Sequence, residues 1–286
     1  MKNIKYFVQF LLAITCFAFF KLLGPTYSSN LSGKLFEKIG PFFRPKKIIY
    51  SNIRKAIPNI SEEEINNFTR SMWNNYGRVF AEYMFIKDFR LGKLESKVEI
   101  NGQEILEEIK KLNKQVIFIS GHFSNFELMA MYLEKTGIKL TAIYRPLNNI
   151  FLNFIIERIR EKYICKNQVK KGIGGIKNLI KFKKQNFSTA LMIDQRVSEG
   201  ILSDFFNEKA LTTTIPAQLI KKFNIPVVPV YIERKNGINF KITIYKAISF
   251  SEEKSISNIT DELNRILEEM IIKNPKQWIW SHNRWK

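Results

Sequence analysis

The 286-residue chain is poor in the residues from which many recognisable sites are built. Its two cysteines, Cys16 and Cys165, lie far apart, outside any Cys-x-x-Cys pattern and away from any histidine at metal-ligand spacing. A disulfide scaffold and a structural zinc site are therefore not expected. There are two histidines, His122 and His282, and acidic side chains are scarce: 26 Asp plus Glu against 46 Lys plus Arg leave a net charge of +20. Such an excess selects anionic partners, whether nucleic acid, acidic lipid or an acidic carrier protein, although part of it is lysine in a chain also rich in Ile and Asn. No nucleic-acid module and no compact basic-aromatic patch stands out, so nucleic acid is not an expected partner. Internal repeats and long low-complexity linkers are also missing. What is abundant is apolar: 45% hydrophobic and 13% aromatic residues supply a core for one large or two small domains and exclude overall disorder.

The apolar residues are concentrated first at the N-terminus. Lys2 and Lys5 precede an uncharged run from Tyr6 to Phe20, and Lys21-Leu22-Leu23 extends it if the lysine snorkels. A bilayer core asks for roughly 20 apolar residues and a signal-peptide core for about 7–15, so length alone does not separate anchor from signal. The aromatic run ends in Lys21-Leu-Leu-Gly-Pro25 without a small-x-small cleavage site, which favours a retained membrane anchor over residues 1–25. Basic residues on its N-terminal side place that end in the cytoplasm. A full span would then put the remainder outside, and a monotopic insertion would leave it inside.

Residues 26–286 form the expected catalytic domain, with a helical part over 26–92 and an α/β core over 93–286. Ser61 and Glu64 have the spacing of a capping box, and Phe68, Met72, Tyr76, Val79, Phe80 and Tyr83 follow at helical intervals. The period then changes. Strands are expected at 97–100, 116–120, 140–144, 188–193, 227–232 and 240–245, with helices near 125–136, 152–162, 176–183 and 215–223. This alternation predicts an α/β fold with a largely parallel central sheet flanked by helices. A late amphipathic helix carries Ile256, Ile259, Leu263, Ile266, Met270 and Ile271 before a Trp-rich tail.

The sharpest motif is Gly121-His-Phe-Ser-Asn-Phe-Glu127, directly after the apolar strand. On one regular helix His122 and Glu127 would lie about 140° apart and scarcely touch. With His122 in a strand-to-helix turn that Gly121 permits, the Glu127 carboxylate reaches back to one imidazole nitrogen and leaves the other free to accept a proton. A capped helix start whose histidine packs against the sheet has the same spacing. Other nucleophile patterns are weaker: Ser124 is not in a Gly-x-Ser-x-Gly elbow, and Gly172-Ile-Gly174-Gly175 lacks the Lys-Ser/Thr of a P-loop and reads as a turn before a helix.

The segment 121–127 resembles the His-x4-Asp/Glu motif of glycerolipid-type acyltransferases, in the Gly-His-Phe-Gly-Asn-Trp-Glu form of the lipid A biosynthesis lauroyl/myristoyl acyltransferases. Tyr144-Arg-Pro-Leu-Asn-Asn149, Asp194-Gln195, Asp204-Phe-Phe206, Thr212-Thr-Thr214, Ile225-Pro-Val-Val-Pro229 and Pro275-x-Gln-Trp278 through Arg284-Trp285 resemble later blocks of that family, in order. Ser124 stands where the family has Gly, Phe126 where it has Trp, and Asn207 where it has Gly; Arg196 follows Asp-Gln.

The resemblance implies transfer of a fatty acyl group from acyl carrier protein to a hydroxyl of a lipid A precursor, without a cofactor or metal. It implies His122 as general base, with Glu127 orienting it and backbone N–H groups at the start of the helix after His122 receiving the oxyanion. Arg145 and Asn125 are expected to bind substrate. Asp194 and Gln195 are expected to orient acceptor hydroxyls or Arg145. His282 is expected to pack beside the tryptophans. Anionic membrane lipid is a further expected partner, and the cytoplasmic face of the inner membrane the expected location. A related acyltransferase acting on lysophospholipid or another glycolipid, and a non-catalytic basic membrane-binding protein, are the competing readings.

Overall fold

The computed structural model describes residues 2–286, with Ile173 described through its backbone. Five helices come first: α1 (Lys2–Leu23), α2 (Pro25–Ile39), α3 (Lys46–Ala56), α4 (Glu62–Glu82) and the short α5 (Ile86–Arg90). The expected capping box opens α4: the Ser61 hydroxyl accepts from the Glu64 backbone N–H while the Glu64 carboxylate accepts from Ser61 N–H. Chain direction then alternates through β1 (Val98–Asn101), α6 (Gln103–Lys111), β2 (Ile117–Ser120), α7 (Glu127–Lys135), β3 (Leu140–Tyr144), α8 (Ile150–Ile159), β4 (Asn167–Lys170), α9 (Ile173–Lys184) and β5 (Ser188–Met192). A hairpin of β6 (Ile201–Phe205) and β7 (Glu208–Thr212), then α10 (Ile215–Phe223), β8 (Val227–Asn236), β9 (Asn239–Ile244) and α11 (Ile256–Lys273), complete the order.

Among the described residues the main sheet has seven strands in the order β1-β9-β8-β2-β5-β3-β4. Strands β8, β2, β5, β3 and β4 are mutually parallel, and β9 turns back antiparallel to β8. Residues 117–120 of β2 are buried on both faces, as a central parallel strand requires. Parallel strands with connecting helices aim their C-terminal ends at one edge, where such sheets bind ligands. Ser120 of β2 is in register with Met192 of β5, so the chain after both leaves the sheet side by side. This register assembles the site.

Three strands escaped the sequence pattern. β4 carries one fully buried residue, Val169, and so shows no apolar run. The β6–β7 hairpin turns through Phe206 and Asn207, both at positive φ (54° and 58°), the two-residue geometry usually marked by Asn-Gly. Phe-Asn carries no such mark. The tail is core rather than surface: Trp278 and Trp280 are buried, stacked edge to face at 4.6 Å.

Candidate active site

His122 lies in the turn between β2 and α7, as its place after an apolar strand suggests. Its partner is not the expected one. The Nδ1 atom is 2.7 Å from Oδ1 of Asp194, whose Oδ2 accepts from the His122 backbone N–H at 2.7 Å and from Trp278 Nε1 at 2.9 Å. Asp194 sits two residues beyond β5, beside the β2 turn, because the two strands pair in register. Burial pushes its carboxyl pKa up, but the His122 charge and these hydrogen bonds outweigh burial and hold it at about 2. An ionised carboxylate only accepts, so in the neutral ring the proton rests on Nδ1 and Nε2 keeps its lone pair. Phe126 closes the ring's flank edge-on at 4.7 Å.

Glu127 is therefore corrected as the partner of His122. Helix α7 starts at Glu127 itself, not at Asn125, so its side chain points away from the imidazole and toward the end of α4. There it meets Arg160, with Nη2 2.5 Å and Nε 3.0 Å from Oε1, and accepts the Tyr83 hydroxyl proton. Both charged side chains are largely buried, at 14% and 6% exposure. Burial alone would lower the Arg160 pKa, but the Glu127 charge raises it, so the guanidinium is a fixed cation. Arg160 begins a π-helical turn, Arg160–Ile164, which follows α8 directly and turns the guanidinium toward α7. In the sequence it lies within Glu157-Arg-Ile-Arg-Glu-Lys162, which reads as a solvated charged face. No local signal separates it from Arg158.

His122, Glu127, Arg145, Arg160 and Gln195 all line one cavity of about 400 Å³. Met129, Ala130, Ala142, Ile164 and Ala190 contribute apolar wall. Arg145 follows β3 on the rim and Lys171 follows β4, adjacent because Tyr144 and Lys170 are in register. Asp194 is corrected as an acceptor-binding residue: it is buried behind the histidine and its oxygens are occupied. Asn125 is corrected too. It is fully buried, and its Nδ2 donates to Glu82 at 2.8 Å instead of facing the cavity.

Glu82 in turn forms a paired contact with Arg234, at 2.5 and 3.1 Å, and accepts from Ser29 at 2.7 Å. The Asn75 side chain accepts from Arg234 and donates to the Ser124 carbonyl at 3.0 Å. One buried polar network thus ties α2, α4 and β8 to the turn that carries His122. Three backbone donors of that turn are engaged: His122 N–H binds Asp194, Phe123 N–H the Gly121 carbonyl and Ser124 N–H the Gln277 carbonyl. The amides of His122, Phe123 and Ser124 are therefore not available to an oxyanion, and the expected donors at the helix start are those beside Glu127.

Ser124 adopts φ 45° and Asn207 φ 58°, so both residues that replace family glycines stand where glycine is favoured. Gly121 serves packing instead: a Cβ there would come within 3.0 Å of Phe123 and Leu267. His282 is packed as expected. Its Nε2 accepts the Arg196 backbone N–H at 2.9 Å, and burial lowers its pKa to about 4. Among the described residues no group of three or more His, Cys, Asp or Glu has an arrangement suited to a metal ion.

Comparison with known proteins finds relatives among lipid A biosynthesis acyltransferases. A stretch of 197 residues, 66% of the chain, is 27% identical to lipid A biosynthesis acyltransferase 2 of Shigella flexneri and spans 60% of that protein's length. Lipid A biosynthesis myristoyltransferase of Escherichia coli (strain K12) is 23% identical over 87% of the chain and 76% of its own length. The lauroyltransferase of the same strain is 22% identical over 85% and 79%. Residues 1–286 match the family described as bacterial lipid A biosynthesis acyltransferase, and with that match running the full described fold and through every block around His122, the chain belongs to that family.

Proposed function

We propose that the chain transfers a fatty acyl group from the thioester of acyl carrier protein to a hydroxyl of a lipid A precursor. The observation that carries the reading is the His122–Asp194 pair, which leaves Nε2 free at a cavity with an apolar wall and a cationic rim. Nε2 removes the proton of the acceptor hydroxyl as its oxygen attacks the thioester carbon. Asp194 stabilises the imidazolium so formed. The tetrahedral intermediate collapses by breaking the C–S bond, and the departing thiolate takes the proton back from His122. An ester and a free carrier thiol result, with no covalent enzyme intermediate.

The oxyanion needs positive charge preorganised at the cavity wall. Arg160 supplies it, held by Glu127 and Tyr83, and this is the role Glu127 plays in place of orienting the base. Arg145 and Lys171 sit side by side on the rim and suit an acceptor phosphate, and Gln195 offers a neutral hydrogen-bonding group in the same wall. The +20 charge suits an acidic carrier protein and an anionic bilayer, which supports work at the cytoplasmic face of the inner membrane. No cofactor enters this scheme.

The test is a purified His122→Ala variant with wild-type circular dichroism and melting. Acyl transfer from acyl carrier protein to a lipid A precursor is expected to fall by about 10²- to 10⁴-fold, the range a general base contributes. Transfer at the wild-type rate would refute the assignment. Mass spectrometry of lipid A from cells with and without the protein then reads chain length and position together.

A further inference from the structure

Helix α1 is apolar on both sides. Ala13, Phe17 and Phe20 are buried against the body, whereas Ile4, Val8, Leu11, Leu12, Phe19 and Leu22 face outward, Leu22 at 85% exposure. A surface helix in water carries polar residues on its outer side, and a helix apolar all round is surrounded by protein or by lipid. Its mean hydropathy of 1.9 allows lipid.

What the sequence leaves open is whether such a helix crosses the bilayer, and the structure bears on this through the way α1 is fastened. Near its start, the Tyr6 carbonyl accepts from Asn149 Nδ2 at 2.8 Å, and the Phe7 and Phe10 rings pack on Phe151 at 5.5 and 5.9 Å. Near its end, Lys21 pairs with Asp88 at 3.2 Å and donates to the Met84 carbonyl at 3.3 Å, while the Phe17 ring packs tilted against Phe80 at 4.8 Å. The two fastenings are fifteen residues apart, about 22 Å along the axis. A helix held to the body at both ends cannot carry its first turn to the far side of the bilayer alone. It would drag Asn148, Asn149 and the Arg145 rim into hydrocarbon, at a cost membranes rarely allow for such groups.

We propose that α1 is inserted in lipid while docked along the body, so that both lie on the same side of the bilayer and α8 enters the lipid surface with it. Helix α8 supplies the second contact: Ile150 and Phe154, one turn apart, are each more than half exposed, and the Arg158 guanidinium lies over the Phe154 ring at 4.1 Å. That pair has the form of an apolar anchor with a cation poised for lipid phosphate. Helix α2 extends the surface with Tyr27, Leu31 and Leu35 on one stripe, flanked by Lys34 and Lys38. Pro146, Leu147 and Asn148, which line the cavity, immediately precede α8. The cavity mouth therefore opens at the lipid surface, and a lipid acceptor enters from the bilayer. That last step rests on the proposed function; the orientation does not.

The test uses the full chain with Cys16→Ala and Cys165→Ala and one added cysteine, Asn3→Cys or Lys286→Cys. Right-side-out and inverted membrane vesicles from expressing cells are treated with a membrane-impermeant maleimide. Both cysteines are expected to react in inverted vesicles and neither in right-side-out ones. Labelling of the two from opposite faces would overturn the docked orientation.

In the same background Phe154→Cys, carrying an environment-sensitive fluorophore, is expected to shift to the blue on vesicles of phosphatidylethanolamine and phosphatidylglycerol. It should also be quenched by lipids with nitroxide on their acyl chains. No shift and no quenching would remove α8 from the lipid surface. The pair Ile150→Glu with Phe154→Glu is expected to weaken vesicle partitioning by about tenfold with melting unchanged, and undiminished partitioning would count against it. None of these readouts depends on turnover, so failure of the proposed chemistry leaves them intact.

Discussion

Asp194→Asn separates the arrangement in the structure from the one the motif alone suggests. The substitution keeps shape and volume but removes the charge. Its single carboxamide oxygen can stay where Oδ2 is, accepting from His122 N–H and Trp278 Nε1, now 2.7 and 2.9 Å away. The amide nitrogen then faces Nδ1 of His122, where the carboxylate oxygen stood at 2.7 Å. Two donors cannot share that contact, so Nδ1 becomes the acceptor and the ring proton moves to Nε2. A protonated Nε2 takes no proton from a hydroxyl. The turnover number is expected to fall by about 10³- to 10⁴-fold, as when the carboxylate of a buried Asp–His pair is replaced by amide elsewhere. At 1.36 kcal/mol per decade this is about 4 to 5 kcal/mol of lost transition-state stabilisation. Folding should suffer far less, since most hydrogen bonds survive in neutral form.

The assay is steady-state acyl transfer, run beside ¹⁵N spectra of histidine-labelled protein, in which the two histidines are readily assigned. Glu127→Gln is the control: it loosens Arg160 and slows transfer but leaves the His122 proton on Nδ1. If Asp194→Asn works within tenfold of wild type, or if Glu127→Gln is the variant that switches the tautomer, the reasoning fails.

Other perturbations read other parts of the structure. Ser124→Gly relieves a residue held at φ 45° and deletes a buried hydroxyl without a hydrogen-bond partner, so a gain of about 1 kcal/mol is expected in urea unfolding. Glu82→Ala leaves Arg234 buried and uncompensated, at a cost of roughly 3–5 kcal/mol, and calorimetry should record a fall on the order of 10 °C. His282 has its pKa lowered by burial to about 4, against about 6.5 when unfolded. The unfolded chain therefore binds a proton first as pH drops, and stability is lost between about pH 6.5 and pH 4 by up to roughly 3 kcal/mol. His282→Gln, which keeps an acceptor for Arg196 N–H, should flatten that slope in melting curves, and an unchanged slope would count against this origin. Arg145→Ala with Lys171→Ala is expected to raise the acceptor KM about tenfold with kcat changed little, as loss of uniform binding does.

Much of this protein was written in local pattern. The short apolar runs, the Ser61–Glu64 cap and the helical stripe of α4 depend on residues a few positions apart, so strand, cap and helix could be read directly. So could the place of His122, one of two histidines, in a strand-to-helix turn. The partners of that histidine could not be read this way. Asp194 is 72 residues away and reaches it because β2 and β5 pair in register, a fact of sheet order and not of spacing. Glu127, five residues away, is turned aside because α7 starts at that residue and Arg160 holds it from a π-helical turn. Asn125, part of the same motif, faces inward to Glu82. Nearness in sequence placed these groups in one turn. Only long-range strand pairing and buried charge pairing decided which of them meet, because hydrogen bonds between side chains are set by where elements pack, not by how many residues separate them.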